Sequence, residues 1–179
     1  MGEILLGTDG LDPKGGLDPK GGLNPKGGFD PKGGLDPMSR AFAEARLAGL
    51  RGEVPVGAVL VRDGTVLAAS GNRTIGDCDP TAHAEMLVIR AAGRLLGSQR
   101  LTGCDLYVTL EPCAMCAAAV SFARIRRVYY GAGDAKGGAV DNGVRFFSAP
   151  TCHHAPEVYG GIRENEAAEL LTGFFEVRR

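Results

Sequence analysis

Two short stretches constrain the fold of this chain more than anything else in it: His83-Ala84-Glu85 and Pro112-Cys113-Ala114-Met115-Cys116. Their histidine and two cysteines have the donor types and spacing of a metal site, so the fold must bring two distant segments to one point. Three nitrogen or sulfur donors leave the fourth tetrahedral position of Zn²⁺ open to water, whereas a structural site fills it with a fourth residue. A bare Cys-x-x-Cys also fits a structural zinc corner or a redox pair, and a single helical histidine also fits core packing. The combination of all three donors, a proline ahead of Cys113 and a carboxylate at Glu85 points to a catalytic site with one Zn²⁺ per chain.

The local sequence predicts how the donors are presented. Asp79 and Pro80 form a start signal ahead of an apolar run, Ala82 to Ala92, which reads as a helix with His83 and Glu85 in its first turn. Glu111 and Pro112 begin a second helix, with Pro112 at the first helical position, where its missing N–H costs nothing. Cys113 and Cys116 are then on one face. Both helices direct their positive ends at the metal, a field that favours thiolates. Glu85, two residues from His83, does not share its direction and is left to move protons.

Around these helices the chain alternates. Val56 to Arg62 and Thr65 to Ser70 are β-rich and joined by Asp63-Gly64, a hairpin signal. Strands at Asp105 to Leu110 and Arg127 to Gly131 flank the cysteine helix, which runs to Ala123, so these two should be parallel with the metal at their carboxyl ends. The stretch from Ala132 to Gly161 is loop-rich with short helical or extended pieces, and a last helix spans about Glu164 to Glu176.

The N-terminus is a different object. Gly10-Leu11-Asp12-Pro13-Lys14-Gly15 recurs every six residues, with small variations at Asn24 and Phe29, until Pro37. Proline in each repeat, paired glycines and few apolar side chains predict disorder over 1–37, and a domain over 38–179. Met38-Ser39 reads as an original start, with Asp36 as N-cap and Pro37 in the first turn of a helix.

The net charge is −1, and because residues 1–37 hold four Lys against six acids, the remainder keeps 16 basic and 15 acidic residues. A general nucleic-acid binder has a strong basic excess, so any RNA contact here must be local, with Arg124, Arg126, Arg127, Arg178 and Arg179 as candidates. Five cysteines give no disulfide framework. With no signal peptide or long apolar run, they predict a soluble cytoplasmic protein without a membrane partner. Cys78 and Cys104 read as small buried or loop residues, and Cys152-His153-His154 lacks a further ligand nearby for a second metal site.

The His-x-Glu and Pro-Cys-x-x-Cys pair is the signature of zinc nucleobase deaminases. Beyond it, Glu53-Val54-Pro55-Val56-Gly57-Ala58, Gly71-Asn72-Arg73, Asp79 to Glu85, Tyr107 to Cys113, Asp134 to Ala139 and Phe174-Phe175 resemble the bacterial tRNA-specific adenosine deaminases from Met38 to Arg179. The resemblance implies an α/β, three-layer, cytidine-deaminase-like fold, with a mixed central sheet of about five strands and helices on both faces. It implies a homodimer that converts adenosine to inosine at the wobble position of a tRNA anticodon stem-loop, by attack of zinc-activated hydroxide on C6. By the same resemblance His83, Cys113 and Cys116 are zinc ligands, Glu85 is the proton shuttle and Asn72 contacts the flipped base. Val56 lines the pocket, Asp134 and Lys136 lie on a loop that contacts the stem-loop, His154 is a nucleotide contact, and Phe174 or Phe175 packs at the nucleotide side. Asn72 also fits a turn role, Lys136 a solvated charge, and one of the two phenylalanines the core.

Gly133 and His153 depart from the common family pattern, an arginine and an asparagine respectively, which changes the detailed RNA contacts and leaves the zinc chemistry intact. The shortened first helix is a third departure. A free-base or nucleoside deaminase of guanine or cytosine type would use the same zinc and glutamate, and a zinc-stabilised RNA-binding scaffold would have no use for Glu85.

Overall fold

The computed structural model describes residues 36–178; the disorder expected over 1–37 falls, up to residue 35, outside the described residues. The chain enters as expected at Asp36, whose carboxylate accepts from the N–H groups of Met38 and Ser39 at 3.0 and 3.1 Å. A cap of this kind contributes about 1 kcal/mol, and Pro37 follows where the helix needs no donor. Helix α1 (Pro37–Leu50) is followed by β1 (Gly57–Arg62), β2 (Thr65–Gly71), α2 (Ala84–Leu96), β3 (Cys104–Leu110), α3 (Ala114–Ala123), β4 (Arg127–Ala132), a 3₁₀ turn at Phe146–Ser148, β5 (Glu157–Tyr159) and α4 (Glu164–Glu176).

The five strands form one sheet in the order β2-β1-β3-β4-β5. β1 runs antiparallel to β2 and β3, while β3, β4 and β5 are parallel. Both modes follow from the connections: Asp63 and Gly64 take φ of +50° and +77°, which closes the tight hairpin, whereas β3 returns to β4 through a helix. Strand alternation then divides the core. Ala58, Leu60, Leu106, Val108 and Val128 pack with Val88 of α2 and Val120 of α3, while Val59, Val61 and Tyr107 pack with Phe42 of α1 and Ala167 of α4. The result is the expected three-layer, mixed five-stranded α/β fold with helices on both faces.

The layer that carries α1 is built by close approach. Gly57 and Gly71 are register partners, and a β-carbon on Gly57 would lie 2.0 Å from the Ala41 carbonyl oxygen, one on Gly71 2.5 Å from that of Glu44. Ala41, Ala45 and Ala48 meet them on the helix side, each fully buried. On the same face Tyr107, Tyr129 and Tyr159 occupy successive register positions of β3, β4 and β5 and stack face to face, with centroids 4.6 and 4.9 Å apart.

Both metal-site helices begin later than the sequence predicts. The Asp79 carboxylate accepts from the Thr81 N–H at 2.7 Å and from its hydroxyl, and Ala82 bonds back to Asp79 and to Arg73, so a local turn consumes the start signal. Helix α2 therefore starts at Ala84 with His83 as its N-cap, outside the first turn. Likewise α3 starts at Ala114 with Cys113 as N-cap. Pro112 stands one residue before that cap instead of at the first helical position, its carbonyl accepting from the Ala139 N–H at 3.0 Å. No helix among the described residues is long and apolar enough to cross a membrane.

Candidate active site

The two N-caps meet. His83 and Cys113 are the residues at which extended chain turns into α2 and α3, with ψ of 149° and 173°, so each side chain projects beyond a helix start while Cys116 projects from within the first turn of α3. His83 Nδ1 lies 3.7 Å from both the Cys113 and the Cys116 sulfur, and all three donor atoms lie within 4.8 Å of one another. A tetrahedral zinc with one nitrogen and two sulfur ligands has ligand-to-ligand edges of roughly 3.5–3.8 Å. The donor set fits that ion in type and in spacing, and among the described residues it is the single such cluster.

The electrostatics agree. Hydrogen bonding from Cys116, then from His83, pulls the Cys113 thiol down to about 4, the thiolate a metal needs, and the proton the two sulfurs divide pushes Cys116 upward. The bond to Cys113 raises His83. Glu85, at the second position of α2, is buried, and its Oε2 has no hydrogen-bond partner. Burial raises its carboxyl above the usual range, and it is close enough to His83 and Cys113 to feel their charges. A carboxyl group left in this condition is costly for folding.

Asn72 closes the other side of the α2 start. Its Oδ1 accepts from the Ala84 N–H at 2.9 Å, and its backbone N–H donates to the Val56 carbonyl. The side chain so helps to cap α2, and its amide Nδ2 makes no hydrogen bond among the described residues. Val56 is 5% exposed and belongs to the core beneath. Asp134 folds its own loop by accepting from the Lys136 and Gly137 N–H groups, both at 2.9 Å, while Lys136 itself is exposed. Gly138 of that loop pairs with Cys113 in an isolated β-bridge, which holds the loop at the site.

Other candidates lie apart from this cluster. His154 hydrogen-bonds the Ile125 carbonyl at 2.6 Å and Cys152 contacts Ser121, so residues 152–154 pack at the opposite end of α3 from Cys113. Neither phenylalanine is core. Phe174 is half-buried with the Arg178 guanidinium 3.7 Å over its ring, and Phe175 is 49% exposed. Arg126 and Arg127 are paired with Asp105 and Glu157, and Arg124 donates to the His153 carbonyl, while Arg179 lies outside the described residues. Cys104 is buried in β3 and Cys78 is exposed in a loop.

Glu111 is the residue that the sequence reading missed. Read there as a helix-start signal, it is instead a buried acceptor for five donors from residues 134–142. Burial alone would raise it, but these bonds, led by the Asn142 and Asp134 N–H groups, hold its carboxyl down at about 2. No local signal marks it, because its donors lie 23 to 31 residues further along the chain.

A metal centre made from two helix starts at the carboxyl end of a parallel strand pair, with a buried acid beside it, is the arrangement of a hydrolytic deaminase domain. The family of the cytidine and deoxycytidylate deaminase zinc-binding region matches residues 35–132, more than half the chain, from the start of α1 to the end of β4. The tRNA-specific adenosine deaminase of Agrobacterium fabrum is 67% identical over 142 residues, which is 79% of this chain and 93% of that protein. A structure solved in a study of A-to-I editing by tRNA:A34 deaminases at the wobble position of transfer RNA is 68% identical, with a TM-score of 0.75, over 75% of this chain and 98% of its own. A guanine deaminase from Bacillus subtilis is similar at 30% identity and a TM-score of 0.54, over 79% of this chain and 91% of its own. The chain belongs to the zinc-dependent deaminase family and, within it, to the tRNA-specific adenosine deaminases.

Proposed function

We propose that the protein hydrolyses adenosine to inosine, releasing ammonia, at the wobble position of a tRNA anticodon. His83, Cys113 and Cys116 hold one Zn²⁺ per chain. When bound, zinc supplies a water whose pKa falls from 15.7 to about 7, hence a nucleophile at neutral pH. Glu85 would take one proton of that water at Oε2 and pass it to the purine ring nitrogen, then take the remaining proton of the oxygen added at C6 and pass it to the amine, which leaves as ammonia while the carbonyl forms. Its enclosure suits this work, because burial raises the carboxyl and makes the carboxylate a readier proton acceptor. Fixed through Oδ1, Asn72 presents its amide donor to the flipped base above the Val56 floor. Asp134 and Lys136, on the loop bridged to Cys113, meet the stem-loop together with Phe175, and His154 contacts a nucleotide through a homodimer whose partner brings the far end of α3 into play.

The single observation that carries this reading is the buried Glu85 carboxyl, with Oε2 left without a partner, beside the His83, Cys113 and Cys116 donors, in a chain 67% identical to a protein named for this reaction. A structural zinc corner has no use for such a group. The cytoplasm is where the substrate is found, and residues 38–179 form the catalytic domain, entered through the Asp36 cap, with 1–35 dispensable. The second reading, a free-base deaminase of guanine or cytosine type, is supported by the likeness to the guanine deaminase at 30% identity. The test is incubation of zinc-loaded protein with an anticodon stem-loop bearing adenosine at the wobble position, and separately with free guanine, cytosine and adenosine. Inosine confined to the stem-loop is the expected result. Turnover of a free base with a silent stem-loop refutes the tRNA reading and leaves the zinc chemistry.

A further inference from the structure

Glu111 leaves β3 with its backbone N–H on the Ala132 carbonyl at 2.8 Å and stands directly before Pro112 and the metal-site residue Cys113. Its Oε1 accepts from three consecutive backbone N–H groups, Val140, Asp141 and Asn142, at 3.0, 2.8 and 2.9 Å. Its Oε2 accepts from the Asp134 N–H at 2.9 Å and the Asn142 amide at 2.6 Å. The residue is 2% exposed. Gly138 is pressed against it so closely that a β-carbon there would lie 2.5 Å from the carboxyl carbon. No lysine or arginine is among these partners, so the charge is met by neutral donors alone, a cost that simple packing would avoid.

Only an ionised carboxylate presents two acceptor-only oxygens to these five donors, three of which share Oε1. Glutamine would turn one of those acceptors into a donor facing donors. The proposal rests on the tRNA reading above, which puts the loop at the RNA: we infer that Glu111 is a positioning residue that sets RNA affinity, by locking the Asp134–Asn142 loop in one place relative to Cys113. It touches neither metal nor substrate. One residue thereby couples the turn that delivers a zinc ligand to the loop that meets the anticodon stem.

The test compares zinc-loaded wild type with Glu111→Gln and Glu111→Asp, the second keeping the charge but one methylene short. Three quantities are read: zinc per chain, KM and kcat on the stem-loop, and hydrogen exchange of peptides covering 133–145. Expected are full zinc content, KM raised at least about tenfold with kcat changed less than about threefold, and faster exchange confined to that loop. Glu111→Asp should restore part of the affinity. An unchanged KM, a loss carried equally by kcat, or slow exchange retained in the loop overturns the inference. So does loss of zinc or of folding in both variants, which makes Glu111 a determinant of the fold alone. Wild type inactive on the stem-loop but active on a free base refutes the tRNA reading instead, and is distinguished from failure of this inference by the wild-type arm itself.

Discussion

Replacing Gly57 with alanine should cost the domain about 3 kcal/mol and most of its activity. The obstacle to the new methyl is backbone on all sides: it would sit 2.0 Å from the Ala41 carbonyl oxygen and 2.5 Å from the Ala45 nitrogen. Carbon and oxygen approach comfortably at about 3.3 Å, so α1 must retreat by roughly 1.3 Å or β1 must sink. Overpacking of a filled core costs about 1–3 kcal/mol, and a site bounded by a helix backbone belongs at the upper end. For a domain of this size that is a fall in Tm of roughly 6–12 °C. Activity should fall too, because Val56 adjoins Gly57, and the Asn72 N–H is bonded to the Val56 carbonyl at 3.0 Å. The assay is thermal unfolding of zinc-loaded protein, with Gly173→Ala as control. Gly173 lies inside α4 with nothing within 4 Å of its would-be β-carbon, so alanine there should stabilise by about 1 kcal/mol. A Tm for Gly57→Ala within about 2 °C of wild type would refute the close-approach argument.

Glu85→Ala should keep its zinc and lose turnover by at least about 10²–10⁴-fold, measured as inosine formed per metal. Cys116→Ala should lose most of its zinc, so that a chelator which lowers the Tm of wild type leaves the variant unmoved. The lowered Glu111 carboxyl stabilises the fold fully above its unfolded value of 4.5, and that contribution is lost as pH falls toward about 2. The window is worth about 3 kcal/mol, so the gap in urea midpoint between wild type and Glu111→Gln should shrink from pH 6 to pH 3; a constant gap contradicts it. Deleting residues 1–35 should leave zinc-dependent turnover unchanged, since Asp36 and its cap remain; a large loss sinks that expectation.

The sequence was most legible where one residue's chemistry decides the outcome. Asp36 and Pro37 start α1 as read, Asp63-Gly64 closes the hairpin, and Glu164–Glu176 is the last helix to the residue. Boundaries failed where a side chain had a competing local partner. Asp79 looked like a helix cap but spends its carboxylate on Thr81, which moves the helix start to Ala84 and makes His83 the cap. Pro112 fitted the first helical position but stands before the Cys113 cap, its carbonyl taken by the Ala139 N–H. The clustering of His83 with Cys113 and Cys116 was legible because the two cysteines share the start of α3 and the histidine sits at a second helix start. Glu111 was not, because its five donors come from more than twenty residues downstream, and no periodicity records a carboxylate folded into a loop. The phenylalanine pair failed for a related reason: Arg178 covers Phe174 from outside, and the core never reaches it.

The tyrosine stack across β3, β4 and β5 also has an optical consequence. The chain has no tryptophan and four tyrosines, three of them in the stack and the fourth, Tyr130, donating to Asp141. All tyrosine emission thus arises from the parallel half of the sheet, β3 to β5. Rings stacked face to face at this separation couple as excitons. Near-ultraviolet circular dichroism of the unlabelled protein therefore reports whether the three-residue strand β5 is docked, independently of the metal.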